Sequence, residues 1–128
     1  MNDFKIKDSG HREVFETGMH RDTSEGKLDY TLVFDGPMLD RYAEHLTKGA
    51  KKYAARNWML AATPEEMERF KISAVRHFRQ WMRGDTDEDH AAAVVFNING
   101  YEYVKDKLCR QSDNQAAAER ADMTWSRP

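Results

Sequence analysis

RFKISAVRHFRQWMRGDTDEDHAAAVVFN, residues 69–97, decides the fold. Gly84 divides it into two helical patterns joined by an acidic elbow. In the first pattern Phe70, Ala74, His77, Phe78 and Trp81 share one helical face. In the second, residues 91–96 are apolar on every side, which predicts a central rather than a peripheral helix. Arg76, His77, Asp87, Glu88, Asp89, His90 and Asn97 are set among these apolar runs. Polar groups held among residues that must be buried need partners or a ligand, so this stretch is expected to form the floor of a site.

The signals on either side of Gly84 bound the helices. Thr63 suits an N-cap and Pro64 the first helical position, and Glu65 and Glu66 in the first turn face the positive end of the helix dipole. Those two glutamates read as capping charges rather than catalysts. The second helix then ends at Arg83, with Gly84 as its stop. Thr86 is expected to cap the third helix, with Asp89 in the place of a capping-box acid. His90, Asn97 and Tyr101 lie on one stripe of that helix, a pattern that fits a bound polar ligand, a metal or an internal hydrogen-bond network. Beyond about residue 108 the periodicity weakens. One short helix at 115–121 and a loosely attached end are expected there.

Upstream, Pro37 with Leu39, Tyr42, Ala43, Leu46 and Ala50 predicts a first helix over 37–53. Lys48, Lys51, Lys52 and Arg56 follow closely, interleaved with Tyr53 and Trp58. Such a mixture can hold a phosphate chain and an aromatic base, and the competing reading is a solvated face followed by two core aromatics. Residues 1–27 show no sustained period and read as an arm. A tight turn at Gly26 would bring Arg21 and Lys27 together at the entrance to the domain.

At 128 residues the chain is read as one domain: an extended arm at 1–35, a helical core at 36–108 and a tail at 109–128. The expected fold is an all-α helical bundle without a substantial sheet. A net charge of −2 gives no general reason to bind nucleic acid or an anionic membrane. The single Cys109 excludes an internal disulfide, and no apolar stretch marks a leader or a membrane span, so a soluble cytoplasmic protein is expected. Apolar stripes on three helices exceed what one chain can bury, which predicts a homo-oligomer, a dimer or tetramer.

Four segments carry a resemblance: TGMHRDTSEGKLDYTLV (17–33), KGAKKYAARNW (48–58), SAVRHFRQWMRGD (73–85) and EDHAAAVVFNIN (88–99). In order and spacing they resemble the small MazG-like phage and bacterial proteins described as dATP/dGTP diphosphohydrolases. The resemblance implies an all-α nucleoside triphosphate pyrophosphohydrolase, Mg2+ or Mn2+ as cofactor, and homo-oligomers with active sites inside a helical bundle. The implied chemistry is metal-assisted hydrolysis that releases pyrophosphate and a nucleoside monophosphate, with purine deoxynucleotides favoured.

The metal motifs of that superfamily, Glu-x-x-Glu and Glu-x-x-Asp, fall on Glu44 with Thr47 and on Asp87 with His90. The implied catalytic and metal-binding set is therefore Glu44, Asp87 and His90, with Glu88 or Asp89 able to lend an oxygen. The implied substrate-binding set is Arg21, Lys27, Lys48, Lys52, Tyr53, Arg56, Trp58, Arg76, His77 and Asn97. Thr47 is a poor substitute for a carboxylate. It keeps a second reading open, a module that sequesters nucleotides without turnover. A third reading is a helical interaction protein whose polar stripe only fixes register. The HD class of phosphohydrolase is set aside, because Asp89-His90 has that pair in the reverse order.

Overall fold

The computed structural model describes residues 3–125 and divides the chain into two units, residues 1–34 and residues 35–128. In the first unit strand β1 (Arg12–Val14) pairs antiparallel with β2 (His20–Asp22), Arg12 opposite Asp22 and Val14 opposite His20. Gly18 makes the turn possible: its φ of 87° is the left-handed region that glycine adopts without steric cost, and its N–H donates to the Phe15 carbonyl at 2.8 Å. Polar contacts brace the hairpin. Arg12 donates to both Asp8 oxygens at 2.7 and 2.8 Å, and the Ser9 hydroxyl donates to Asp22. Three-residue strands are too short to show alternation, which is why the arm has no visible period.

The second unit is helical. It contains α1 (Met38–Lys52), α2 (Pro64–Arg83) and α3 (His90–Trp125), with a 3-10 turn at Asn57–Leu60 between α1 and α2. The start of α2 is a reciprocal cap. Thr63 Oγ1 accepts the Glu66 N–H at 3.2 Å, while Glu66 Oε1 accepts the Thr63 hydroxyl at 2.9 Å and the Ala62 N–H at 3.0 Å. Its end is equally defined: Gly84 has φ 80°, and the Asp85 N–H reaches back to the Gln80 carbonyl at 3.0 Å.

Two expectations for α3 need correction. Asp89, not Thr86, is the cap, its Oδ1 accepting the Ala92 N–H at 3.1 Å, because a carboxylate answers both the free N–H groups and the positive end of the dipole. Nor is there a separate helix at 115–121, since α3 continues unbroken to Trp125. After Gly100 no glycine or proline interrupts the chain before Pro128, and strong helix formers such as Gln115, Ala116 and Ala117 propagate what is already nucleated.

The contact between α2 and α3 is a seam with its own spacing. His90, Ala93, Asn97, Gly100 and Val104 are all buried and alternate by three and four residues. On α2 the inward residues are Phe70, Ser73, His77 and Gln80, with the same alternation. The expected face containing Phe78 and Trp81 is therefore rotated: these residues stay 49% and 52% exposed, their rings 5.8 Å apart. Small residues win the seam because a large side chain there would hold the helices apart. The same rotation leaves Ile72, Val75 and Met82 exposed on α2, with Val95 and Ile98 on α3, so residues 91–96 are not covered on every side within one chain.

Packing of α1 against α3 adds three distinct contacts. Arg41 meets Asp89 at one end, the His45 and Phe96 rings lie 5.1 Å apart in the middle, and Asn99 donates to the Tyr42 hydroxyl at 3.1 Å. No helix among the described residues is long and apolar enough to cross a membrane.

Gly100 tests the seam. A methyl group there would lie 2.5 Å from a ring carbon of Phe70, well inside contact distance. An exposed helical glycine gains about 1 kcal/mol on changing to alanine, whereas overpacking costs about 1–3 kcal/mol. Gly100→Ala is expected to lower the urea-unfolding free energy, the reverse of the propensity effect, and Phe70→Leu in the same chain should recover part of the loss.

Candidate active site

His90 is the first residue of α3 and only 2% exposed. Its Nδ1 lies 2.9 Å from Nδ1 of His77 on α2, and its Nε2 lies 2.7 Å from Asp87 Oδ1. A bond between two Nδ1 atoms requires one to carry the proton and the other a lone pair. Burial, the largest influence, pushes the His77 pKa down and favours its neutral ring. With the proton on His77 Nδ1, His90 accepts there and donates Nε2–H to Asp87. With the proton on His90 Nδ1 instead, His77 accepts and the His90 Nε2 lone pair faces the carboxylate, ready to ligate a cation beside it. His77 is thus the group that orients His90.

Around this pair the acidic elbow closes a hollow of about 570 Å³, bordered by Arg41, Lys48, Asp85, Asp87, Glu88 and His90. Two groups among the described residues bring three ligand atoms within 4.8 Å of one another: Asp85, Asp87 and His90, and His77, Glu88 and His90. Carboxylate oxygens with one imidazole suit Mn2+, and Mg2+ with retained waters, so the donor set fits the implied ions. Both Asp carboxyls are held below their ordinary range, Asp87 chiefly by the His90 N–H and Asp85 chiefly by Arg83, and both are ionised near neutrality.

Asp89 is committed elsewhere. Its two oxygens accept Arg41 Nη2 at 2.6 Å and Nε at 2.8 Å, and Oδ1 also takes the Ala92 N–H. A carboxylate so occupied ties α1 to α3 rather than offering lone pairs to an ion. Glu44 belongs to neither group of three and pairs with Lys48 on its own helix at 3.1 Å. It stands one turn from both Arg41 and Lys48, which border the hollow. The Thr47 hydroxyl donates to the Ala43 carbonyl of its own helix at 2.8 Å.

A second and larger cavity, about 920 Å³, lies along α3 from the hollow and is walled by Tyr53, Arg56, Trp58, Arg69, Phe70 and Phe96. Phe96 is its hub. The rings of His45, Trp58 and Phe70 lie 5.1, 6.1 and 6.1 Å from it, and Trp58 also meets the Tyr103 edge at 5.1 Å. These are tilted and edge-to-face arrangements of the kind aromatic quadrupoles prefer. Arg56 enters the 3-10 turn in the left-handed conformation, φ 62°, the single non-glycine residue with positive φ among those described. Left-handed backbone costs a non-glycine residue on the order of 1 kcal/mol.

Apart from Tyr53, the remaining expected site residues border neither the hollow nor the aromatic cavity. Lys52 lies with its ammonium 5.1 Å from the Tyr53 ring centroid, and Tyr53 is 66% exposed. Arg76 is exposed and donates to Ser73 Oγ at 3.2 Å, so no buried guanidinium there demands an anion. Asn97 is buried, and its amide nitrogen donates to the Ala93 carbonyl of its own helix at 2.8 Å. Arg21 lies on β2 opposite Glu13, and Lys27 lies 3.7 Å from Asp22, both in the N-terminal unit. Asp85 and Arg41 were not singled out from the sequence. Asp85 had a signal in the acidic elbow, whereas Arg41 has none without the packing of α1.

Fold and site together define an all-α protein with an acid–imidazole hollow beside an aromatic cavity. The family described as dATP/dGTP diphosphohydrolase, N-terminal, matches residues 17–107, and the chain belongs to that family. No curated protein and no solved structure matches the chain.

Arg41 is the main cause that lowers the Asp89 pKa from 3.8 to about 2. A depressed carboxyl pKa contributes stability that is complete above the unfolded value and is lost as pH falls through the folded one. The wild-type thermal midpoint is expected to fall between about pH 4 and pH 2 more steeply than that of Asp89→Asn, the two converging near pH 2.

Proposed function

We propose that the protein is a metal-dependent hydrolase of purine deoxynucleoside triphosphates, releasing pyrophosphate and a nucleoside monophosphate. One observation carries the reading: the acid–imidazole hollow and the aromatic cavity are both bordered by α1 and α3. His90 and Phe96 are six residues apart, a rise of about 9 Å, the scale of a polyphosphate chain joined to a nucleoside. Asp85, Asp87 and His90 would hold Mg2+ or Mn2+, with Glu44 supplying a further carboxylate on leaving Lys48. The ion, when bound, polarises phosphoryl oxygens and makes water a stronger acid.

The chain's own groups do the rest. His77 keeps the His90 ring in register, and Lys48, freed by Glu44, neutralises phosphate charge beside the hollow. Trp58, Phe96 and Tyr53 offer apolar ring faces to a purine, and Arg56 a guanidinium at the cavity wall. The exposed strip of Ile72, Val75, Phe78 and Met82 supports a homo-oligomer. A mass above that of one chain is expected by light scattering at micromolar concentration.

Pyrophosphate release from a panel of ribo- and deoxynucleoside triphosphates, with Mn2+ or Mg2+, tests the reading. dATP and dGTP are expected to be turned over and chelator to abolish the reaction. Glu44→Gln and Asp87→Asn should each lower turnover at least about a hundredfold while leaving the helical spectrum unchanged. The second reading, sequestration without turnover, is favoured by Thr47, whose hydroxyl is spent on its own helix where the superfamily carries a carboxylate. It predicts nucleotide-dependent thermal stabilisation with no pyrophosphate released.

A further inference from the structure

The turn that carries Trp58 is held from outside the cavity. Lys107, on α3 one helical turn beyond Tyr103, donates from Nζ to the Met59 carbonyl at 2.9 Å and to the Ala61 carbonyl at 3.0 Å. Its ammonium also lies 5.4 Å from the Tyr103 ring centroid, and that ring in turn meets Trp58. Ala61 is 7% exposed, so its carbonyl has little access to water. Just beyond them Glu66 Oε1 accepts the Ala62 N–H at 3.0 Å, and Lys107 contributes to keeping that carboxyl ionised. The segment 59–62 is therefore gripped at its acceptors by a cation of α3 and at a donor by an anion of α2.

Lys107 does not line the cavity. What it sets is where the backbone on both sides of Leu60 lies, and hence how deep the indole of Trp58 reaches toward Phe96, 6.1 Å away. Tyr103 and Lys107 stand on consecutive turns of one rigid helix, so ring and backbone of the turn are referenced to the same support. Short 3-10 turns lack the bonding to hold themselves in one place.

We propose that Lys107 is a positioning residue for nucleoside recognition: by clamping the Met59 and Ala61 carbonyls it fixes the Trp58 wall of the aromatic cavity. The assignment rests on the nucleotide reading of that cavity. It separates recognition from chemistry, because the acidic hollow is built from α1, the C-terminal end of α2, the elbow and the first turn of α3, none of which Lys107 touches.

The test is steady-state hydrolysis of dATP and dGTP by the full chain, wild type against Lys107→Met and Lys107→Arg, with hydrogen exchange followed across residues 57–62. Removing both donors is expected to raise KM about tenfold or more with kcat within about a factor of two, since the lost contacts are far from the hollow. Exchange at 57–62 should quicken while the α2–α3 seam stays protected. Lys107→Arg, which can also bridge two carbonyls, should restore most of the KM. A wild-type KM in Lys107→Met, or an equal fall in kcat in both variants, overturns the assignment. Should Lys107→Met fail to fold, Lys107→Gln, with a single amide to share between the carbonyls, must give a raised KM and loosened exchange or the proposal fails. A wild-type protein that neither binds nor hydrolyses either nucleotide overturns the underlying reading and leaves the cavity without that role.

Discussion

Helices α2 and α3 can lie as close as they do because Ala93 and Gly100 occupy the seam between them, and nearly everything else follows from that closeness. Helices separated by leucine-sized side chains sit toward the upper end of the usual 8–10 Å range. The His77 and His90 imidazoles meet Nδ1 to Nδ1 at 2.9 Å toward one end of this seam, and toward the other the Phe70 ring lies across Gly100 and reaches Phe96. The seam has little apolar area of its own to bury, so the large aliphatic residues of α2 are turned outward and α1 and the 3-10 turn supply the remaining cover.

The acidic elbow shows how a run of like charges is made tolerable at a helix start. Asp89 faces the N–H groups of α3 and is matched by Arg41; Asp85 is matched by Arg83; Asp87 is matched by the His90 ring. Each of these three carboxylates is answered by a different partner, and the partners differ in how firmly they hold. The guanidinium of Arg41 engages both oxygens of Asp89 and adds a tie between two helices, so that residue is architecture. Asp87 is held chiefly by an imidazole, whose proton can move to the other nitrogen. This gradient of commitment separates the acid tied between two helices from those held more loosely.

Much of this was legible in the sequence, and the misses have definite causes. Thr63-Pro64 with Glu66, and Gly84 after Arg83, are local signals whose partners lie within four residues, and both ends of α2 stand where those residues put them. The burial of His77 and His90 followed from their apolar neighbours. Their pairing did not, since it depends on the rotation of α2 about its axis. That rotation is decided by Gly100, thirty residues from Phe70, and hydrophobic counting favours the wrong face when the seam is built from small and polar groups. For Asn97 the sequence leaves a ligand, a metal and an internal hydrogen-bond network open, and an acceptor on its own helix, the Ala93 carbonyl, lies 2.8 Å from its amide nitrogen. Arg41 and Lys107 act on atoms nearly fifty positions away, Lys107 through backbone carbonyls that carry no side-chain signature at all.

The length of α3 divides it into two regimes. Its 36 residues span about 54 Å against about 30 Å for the 20 of α2, so nearly half of it extends past what α2 can cover. From Cys109 to Met123 almost every residue is exposed, with helix-surface contacts such as Arg110 with Asp106 and Gln115 with Glu119. Pairs of that kind add only a few tenths of a kcal/mol each. The helix is therefore nucleated at the seam and propagated outward against a nearly neutral balance, so that its far end works as a gauge of its surroundings. Warming would shorten it from the tip turn by turn, while the histidines at the other end of the same rod felt nothing.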